Sequence, residues 1–170
     1  RLISQAETDQ LTGFLNKIST SLKISETIKQ YPGETGAFLL LDIDDFKKLN
    51  DEYGHSEGDN FLRAFTSKLS IRFGANDILG RIGGEEFVVY VSGDGDKEKT
   101  RELAEETAQT ILKICHGVKL ENVPDRDFSC SVGIALYPES GTLYKELYEK
   151  ADAAMYSVKR NGKNNYAFAE

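Results

Sequence analysis

Apolar positions recur along the chain in two rhythms, and the change of rhythm marks the elements. Ile18, Leu22 and Ile28 stand among polar residues and the pattern stops at Tyr31-Pro-Gly33, predicting an amphipathic helix with these residues as its apolar face. Ala37-Phe-Leu-Leu-Leu41 is unbroken, the mark of a strand covered on both faces, and it ends at Asp42. Phe46, Leu49 and Tyr53 return to helical spacing, as do Phe61, Leu62, Phe65 and Leu69 after Gly58. Ile78–Ile82, a Gly83-Gly84 turn and Phe87–Val91 predict a hairpin. Leu103, Ala104, Thr107, Ala108, Ile111, Leu112 and Cys115 predict a long helix, and Phe128–Leu136 a further strand. Leu143, Leu147, Ala151, Ala154, Met155 and Val158 mark a last long helix that closes at Asn161-Gly162, before a short strand at Tyr166–Phe168. Helices and strands alternate without repeats or internal linkers, which predicts an α/β (α+β) domain: one mixed central sheet flanked by helices.

Composition narrows the classes of partner. At 170 residues, 39% hydrophobic and 29% charged, the chain suits one soluble domain with a real core. Its net charge of −7 disfavours nucleic acid and anionic membrane surfaces. No apolar stretch approaches the roughly 20 residues of a membrane span, and no signal peptide is visible. Cys115 and Cys130 form no CxxC pair and read as two buried thiols in a reducing compartment, so a cytoplasmic location is expected.

The unusual chemistry is acidic. Glu85 and Glu86 stand side by side at the hairpin tip, where like charges repel unless a cation offsets them. Asp42-Ile-Asp44-Asp45 crowds three acids into four residues. Helix capping accounts for Asp44 or Asp45 but leaves Asp42, at the carboxyl end of a buried strand, without a structural task. A hard cation such as Mg²⁺ takes one or two carboxylates and completes its shell with substrate phosphates, so Asp42 and one hairpin glutamate form a candidate pair. Gly83 and Gly84 would admit a phosphate against the backbone. Taken singly, a Gly-Gly turn or a Glu-Glu pair is most often structural. A calcium loop, a P-loop and a G-x-G-x-x-G helix start are all missing, and His55 and His116 are too isolated for a zinc site.

The features together are specific. DQLTGFLNK (9–17), DIDDFKKLND (42–51), YGHSEGDNFL (53–62), GRIGGEEF (80–87), SVGIA (131–135) and YEKADAAMYSVKRNGKNN (148–165) occur in this order. From about Thr8 to Phe168 the chain strongly resembles the GGDEF family of diguanylate cyclases, with GGEEF as its signature. The resemblance implies a fold similar to the palm of polymerases and class III nucleotidyl cyclases, and condensation of two GTP into cyclic di-GMP across a dimer. It implies Mg²⁺ or Mn²⁺ on Asp42, the Ile43 carbonyl and Glu85. Glu85 is also implied as the base for the 3′-hydroxyl, with Glu86 as the next signature acid. Gly83 and Gly84 match positions beside the α-phosphate. Phe46, Lys47, Lys159 and Lys163 match phosphate contacts, the last two placed four apart on the final helix. Asn50 and Asp59 match guanine contacts, with His55 nearby. The acidic balance predicts no nucleic-acid partner and no direct membrane contact, and the resemblance implies residues 1–7 as the remnant of a helix from an upstream sensor or receiver domain.

Two departures and two alternatives accompany the resemblance. The family's product-inhibition motif, R-x-x-D, has Asp77 in its acid position but Gly74 in place of arginine, which predicts weak or absent feedback there. Lys17 and Lys163 stand where arginine is common, keeping charge without bidentate geometry. A silent relative that binds GTP or cyclic di-GMP, and a purely structural dimerisation domain, remain open. A phosphodiesterase is disfavoured because neither an E-A-L nor an H-D signature is present.

Overall fold

The structure is a computed structural model and describes residues 6–170, so the first part of the expected upstream remnant lies outside the described residues. In chain order the elements are α1 (Lys17–Gln30), β1 (Gly36–Ile43), α2 (Phe46–Tyr53), α3 (His55–Arg72), β2 (Ile78–Arg81), β3 (Glu86–Ser92), α4 (Lys97–His116), β4 (Cys130–Tyr137), α5 (Tyr144–Arg160) and β5 (Asn165–Phe168). The strands form one sheet in the order β2-β3-β1-β4-β5. β1 runs antiparallel to both β3 and β4, β2 antiparallel to β3, and β5 parallel to β4, so the sheet is mixed as the patterning predicts.

β1 is the centre of the sheet and is buried along its whole length. Successive side chains point to opposite faces. Ala37, Leu39, Leu41 and Ile43 enter the layer built with α2, α3 and α4, beside Leu49, Phe61, Phe65, Ala108 and Ile111. Phe38 and Leu40 enter the opposite layer with Ile24 of α1 and Leu147, Ala151 and Met155 of α5. Each Leu, Ile, Phe or Met side chain among them contributes about 1.5–3 kcal/mol on burial. The same alternation turns Asp42 toward α5.

The approach of α5 is set by Gly133 on β4. A Cβ there would lie 1.9 Å from the Ala151 carbonyl oxygen, so only glycine lets the helix rest this close to the strand. That contact carries the end of α5 over the end of β1. Beyond α5 the chain turns sharply through Gly162, Lys163 and Asn164, all at positive φ, into β5.

Several expectations need correction. α1 forms, but Ile18 and Leu22 are 73% and 59% exposed, and its buried residues are Thr20 and Ile24. The reason is close approach: a Cβ at Gly80 of β2 would meet Thr20 Oγ1 at 2.0 Å, so the helix docks through a small side chain. Tyr53 ends the two-turn α2 exposed, while Phe46 and Leu49 hold it down. Lys163 lies past the end of α5, not on it, so the two lysines do not share a helix. Asp45 occupies the N-cap of α2 in the left-handed region and makes no side-chain cap bond, so capping does not explain it. β4 begins at Cys130, with Phe128 buried ahead of it. Among the described residues, no helix is long and apolar enough to cross a membrane.

Candidate functional site

The sheet brings the acidic segments together. In the β1–β3 ladder Asp42 stands opposite Glu86, and in the β1–β4 ladder opposite Ser131. The Ile43 N–H donates to the Glu85 carbonyl at 3.1 Å, which ties the hairpin turn to the end of β1. Within the turn, the Ile82 and Gly83 N–H groups donate to the Glu86 carbonyl at 2.9 and 3.4 Å. Asp42, Ile43, Glu85 and Glu86 therefore share one corner of the molecule.

The three crowded aspartates have different environments. Asp44, with its side chain 2% exposed, accepts from Ser129 Oγ and Ser131 Oγ at 2.7 Å each and from the Asn164 N–H at 3.0 Å. Its hydrogen-bonding capacity is largely used inside the protein. Asp45 pairs with Lys163 at 2.8 Å, and that hydrogen bond holds its carboxyl below the ordinary range. Asp42 is different: Lys159 Nζ reaches its Oδ1 at 3.0 Å and Asp44 Oδ1 at 3.8 Å. Even so, burial pushes the Asp42 carboxyl up, with Lys159 opposing.

Burial also raises Glu85, and the Asp42 charge raises it further. Glu86 is raised by burial, then by Asp42 and Asp152. Among the described residues, neither glutamate forms an ion pair. The corner thus holds more negative charge than its own lysine offsets.

The turn leaves room for a visitor. A Cβ at Gly83 would meet nothing closer than Glu86 Cβ at 3.4 Å, and one at Gly84 would meet nothing within 4 Å. Neither residue lies in the left-handed region. Internal packing and backbone geometry therefore do not require glycine at either place.

Arg81 braces this turn. Its Nε and Nη2 donate to the Gly84 carbonyl at 3.0 and 2.6 Å, and its Nη1 donates to both Asp9 oxygens at 3.1 Å. Burial would raise the Asp9 carboxyl, but the Thr12 bonds and Arg81 hold it low. The DQLTG segment is thereby tied to the signature turn, across a sequence distance that no local pattern reports.

The remaining candidates lie on α2 and α3. Phe46 is buried against Phe61, so its ring belongs to the core. Lys47 is 90% exposed at the side chain and 3.5 Å from Asp51. Asn50 lies against Gly58, directly beside Asp59 in sequence, while His55 is exposed at the start of α3. Arg126 donates to the Asp45 carbonyl at 3.3 Å and to Glu52 at 3.2 Å, bracing the start of α2. A groove of about 780 Å³ lies elsewhere, between α1 and the outer strands beside Tyr31, Tyr90 and Tyr137, and none of the candidates lines it.

Comparison with known proteins adds an independent line. The family model "Diguanylate cyclase, GGDEF domain" matches residues 6–165. A bifunctional diguanylate cyclase/cyclic di-GMP phosphodiesterase, MucR of Pseudomonas aeruginosa, is 33% identical over 99% of this chain and 24% of its own length. The probable diguanylate cyclase DgcC of Escherichia coli is 32% identical over 96% of this chain and 43% of its own. The chain thus spans well under two thirds of these relatives. The GGDEF domain of DgcB from Caulobacter crescentus, solved with cyclic di-GMP, superposes with a TM-score of 0.85 at 26% identity, covering 100% of this chain and 97% of that one.

Proposed function

The chain belongs to the GGDEF family of diguanylate cyclase domains, and from that premise we propose that it condenses two GTP molecules into cyclic di-GMP, releasing two pyrophosphates. The observation that carries this reading is the corner of Asp42, Glu85 and Glu86, where burial and mutual repulsion leave negative charge in want of a cation. Among the described residues, no group of three or more acidic, histidine or cysteine side chains could cage an ion. Two carboxylates and a carbonyl fit Mg²⁺, or Mn²⁺, which leaves the rest of its shell to phosphate and water. Asp42, the Ile43 carbonyl and Glu85 would hold it, and when bound it offsets triphosphate charge and polarises the α-phosphate.

The chain's own groups do the rest. The open face of Gly83 and Gly84 receives the α-phosphate. Lys159, Lys163 and Lys47 offer ammonium groups to the outer phosphates, and the backbone N–H groups of Phe46 and Lys47 at the start of α2 favour the same anion. Asp59 accepts from guanine N1–H and N2–H₂, Asn50 supplies the amide contact, and His55 stands near the base. Glu85 draws the proton from the attacking 3′-hydroxyl as general base. Glu86, the next acid of the signature, adds negative charge beside it.

Each 3′-hydroxyl attacks the α-phosphate of the other GTP. One domain carries one nucleotide, so two copies must meet transiently and face to face. An upstream sensor or receiver domain would bring them together in the cytoplasm, and alone the domain should turn over slowly. The alternative is a silent binder of GTP or cyclic di-GMP, and the intact acids and glycines of the signature weigh against it. Concentrated protein is incubated with GTP and Mg²⁺ and the products are weighed by mass spectrometry. Cyclic di-GMP supports the cyclase, and bound but unconverted GTP supports the silent binder.

A further inference from the structure

We infer that Gly58 fixes which end of the Asn50 carboxamide faces the base, and so sets the preference for guanine over adenine; this rests on the reading of Asn50 and Asp59 as base contacts. Gly58 is buried one turn into α3, and Asn50 is on α2. A Cβ at Gly58 would stand 1.9 Å from Asn50 Oδ1, 3.0 Å from its Cγ and 3.1 Å from Phe46 Cζ. The amide therefore points its oxygen into the space a side chain at Gly58 would fill, next to the Phe46 ring.

The oxygen in this space is buried and, among the described residues, has no hydrogen-bond partner. A buried acceptor without a donor is destabilising, and glycine inside a helix is less favourable than alanine. Two unfavourable local choices thus meet at one contact: the close approach of α2 to α3 accounts for the glycine, and direction accounts for the unpartnered oxygen. With Oδ1 held inward, Nδ2 is the end left to project, and it can only donate.

Guanine answers a donor with O6, while Asp59, the residue after Gly58, offers acceptors for N1–H and N2–H₂. Adenine carries an amino group where guanine has O6 and lacks the N1–H, so the pair rejects it. Gly58 is a positioning residue: it acts through Asn50 and need not touch the base.

The test is a double-mutant cycle on nucleotide binding, by calorimetry with Mg²⁺ and α,β-methylene-GTP or α,β-methylene-ATP, whose bridging carbon prevents condensation. Gly58→Ala and Asn50→Ala are each expected to weaken the guanosine analogue about tenfold and the adenosine analogue less than about twofold. Asn50→Ala with Gly58→Ala is expected to match Asn50→Ala alone, because the removed amide no longer meets the added methyl. That comparison stands even if Gly58→Ala alone folds poorly. Full guanosine affinity in Gly58→Ala, or multiplied losses in the double variant, would overturn the inference. Failure of the wild-type protein to prefer the guanosine analogue would instead overturn the underlying reading of Asn50 and Asp59.

Discussion

β2 is flanked by two turns that look alike in sequence and differ in chemistry. At its start, Gly74–Asp77 closes on itself: the Gly74 N–H donates to Asp77 Oδ2 at 2.9 Å and the Asp77 N–H returns to the Gly74 carbonyl at 3.1 Å. At its end, the Gly83-Gly84 turn carries two glutamates whose carboxyls are raised by burial and by Asp42. One acid is answered within its own turn; the others are not. A carboxylate answered inside its own turn is explained by the fold, and one held above its ordinary range by burial and a neighbouring charge is the place to test for a cation.

The sharpest way to break this contrast is to remove the unanswered charge. Glu85→Ala is expected to lower cyclic di-GMP formation by about a thousandfold or more, the scale of a lost metal ligand and base combined, while the domain stays folded. A mass assay alongside a thermal melt checks both halves. Gly84→Ala probes the open face: its methyl meets nothing within 4 Å, so the melting temperature should hold. Turnover should fall about tenfold to a hundredfold, because closeness of approach at the reacting centre is worth that much. A variant that retains full turnover would make the glycine irrelevant to phosphate.

The opposite turn can be sharpened by giving it a cation. A Cβ at Gly74 meets only Asp77 Oδ2, at 3.9 Å, so Gly74→Arg is accommodated without rearrangement. Calorimetry should then show cyclic di-GMP binding about tenfold tighter, as one new charge-assisted contact allows. Tight binding by the wild type, unchanged by the arginine, would contradict the expectation of weak feedback.

The smallest effect is on stability. A raised carboxyl pKa means the folded state holds the proton more tightly than the unfolded chain. Stability from Glu86 therefore falls as pH rises from the ordinary carboxylate range through its raised value, and stays lost above it. Glu86→Gln should melt about 2 °C above the wild type at pH 8 without divalent cation. The gap should close as pH drops below about 4. Asp45 runs the other way: its pairing with Lys163 helps above the ordinary range and is lost on acidification.

Much of this architecture was legible in the chain. The unbroken Ala37–Leu41 run identified the central strand, and the Gly-Gly turn identified the hairpin, because burial and turn chemistry act locally. The face of α1 was not legible, since Thr20 against Gly80 is a matter of how closely two backbones approach and not of hydrophobicity. Nor was the place of Lys163, because left-handed backbone at a lysine leaves no trace in side-chain periodicity. At the site, the acids stood out as unexplained charge. Arg81 did not, because its bond to Asp9 joins residues 72 apart.

The central claim is that Asp42 and Glu85 hold one divalent ion together with the nucleotide. Titrating Mn²⁺ into protein saturated with α,β-methylene-GTP, followed by electron paramagnetic resonance, tests it most directly. Asp42→Asn and Glu85→Gln should each weaken the protein-bound Mn²⁺ signal by at least about tenfold, or about 1.4 kcal/mol. Wild-type Mn²⁺ affinity in both variants would contradict it.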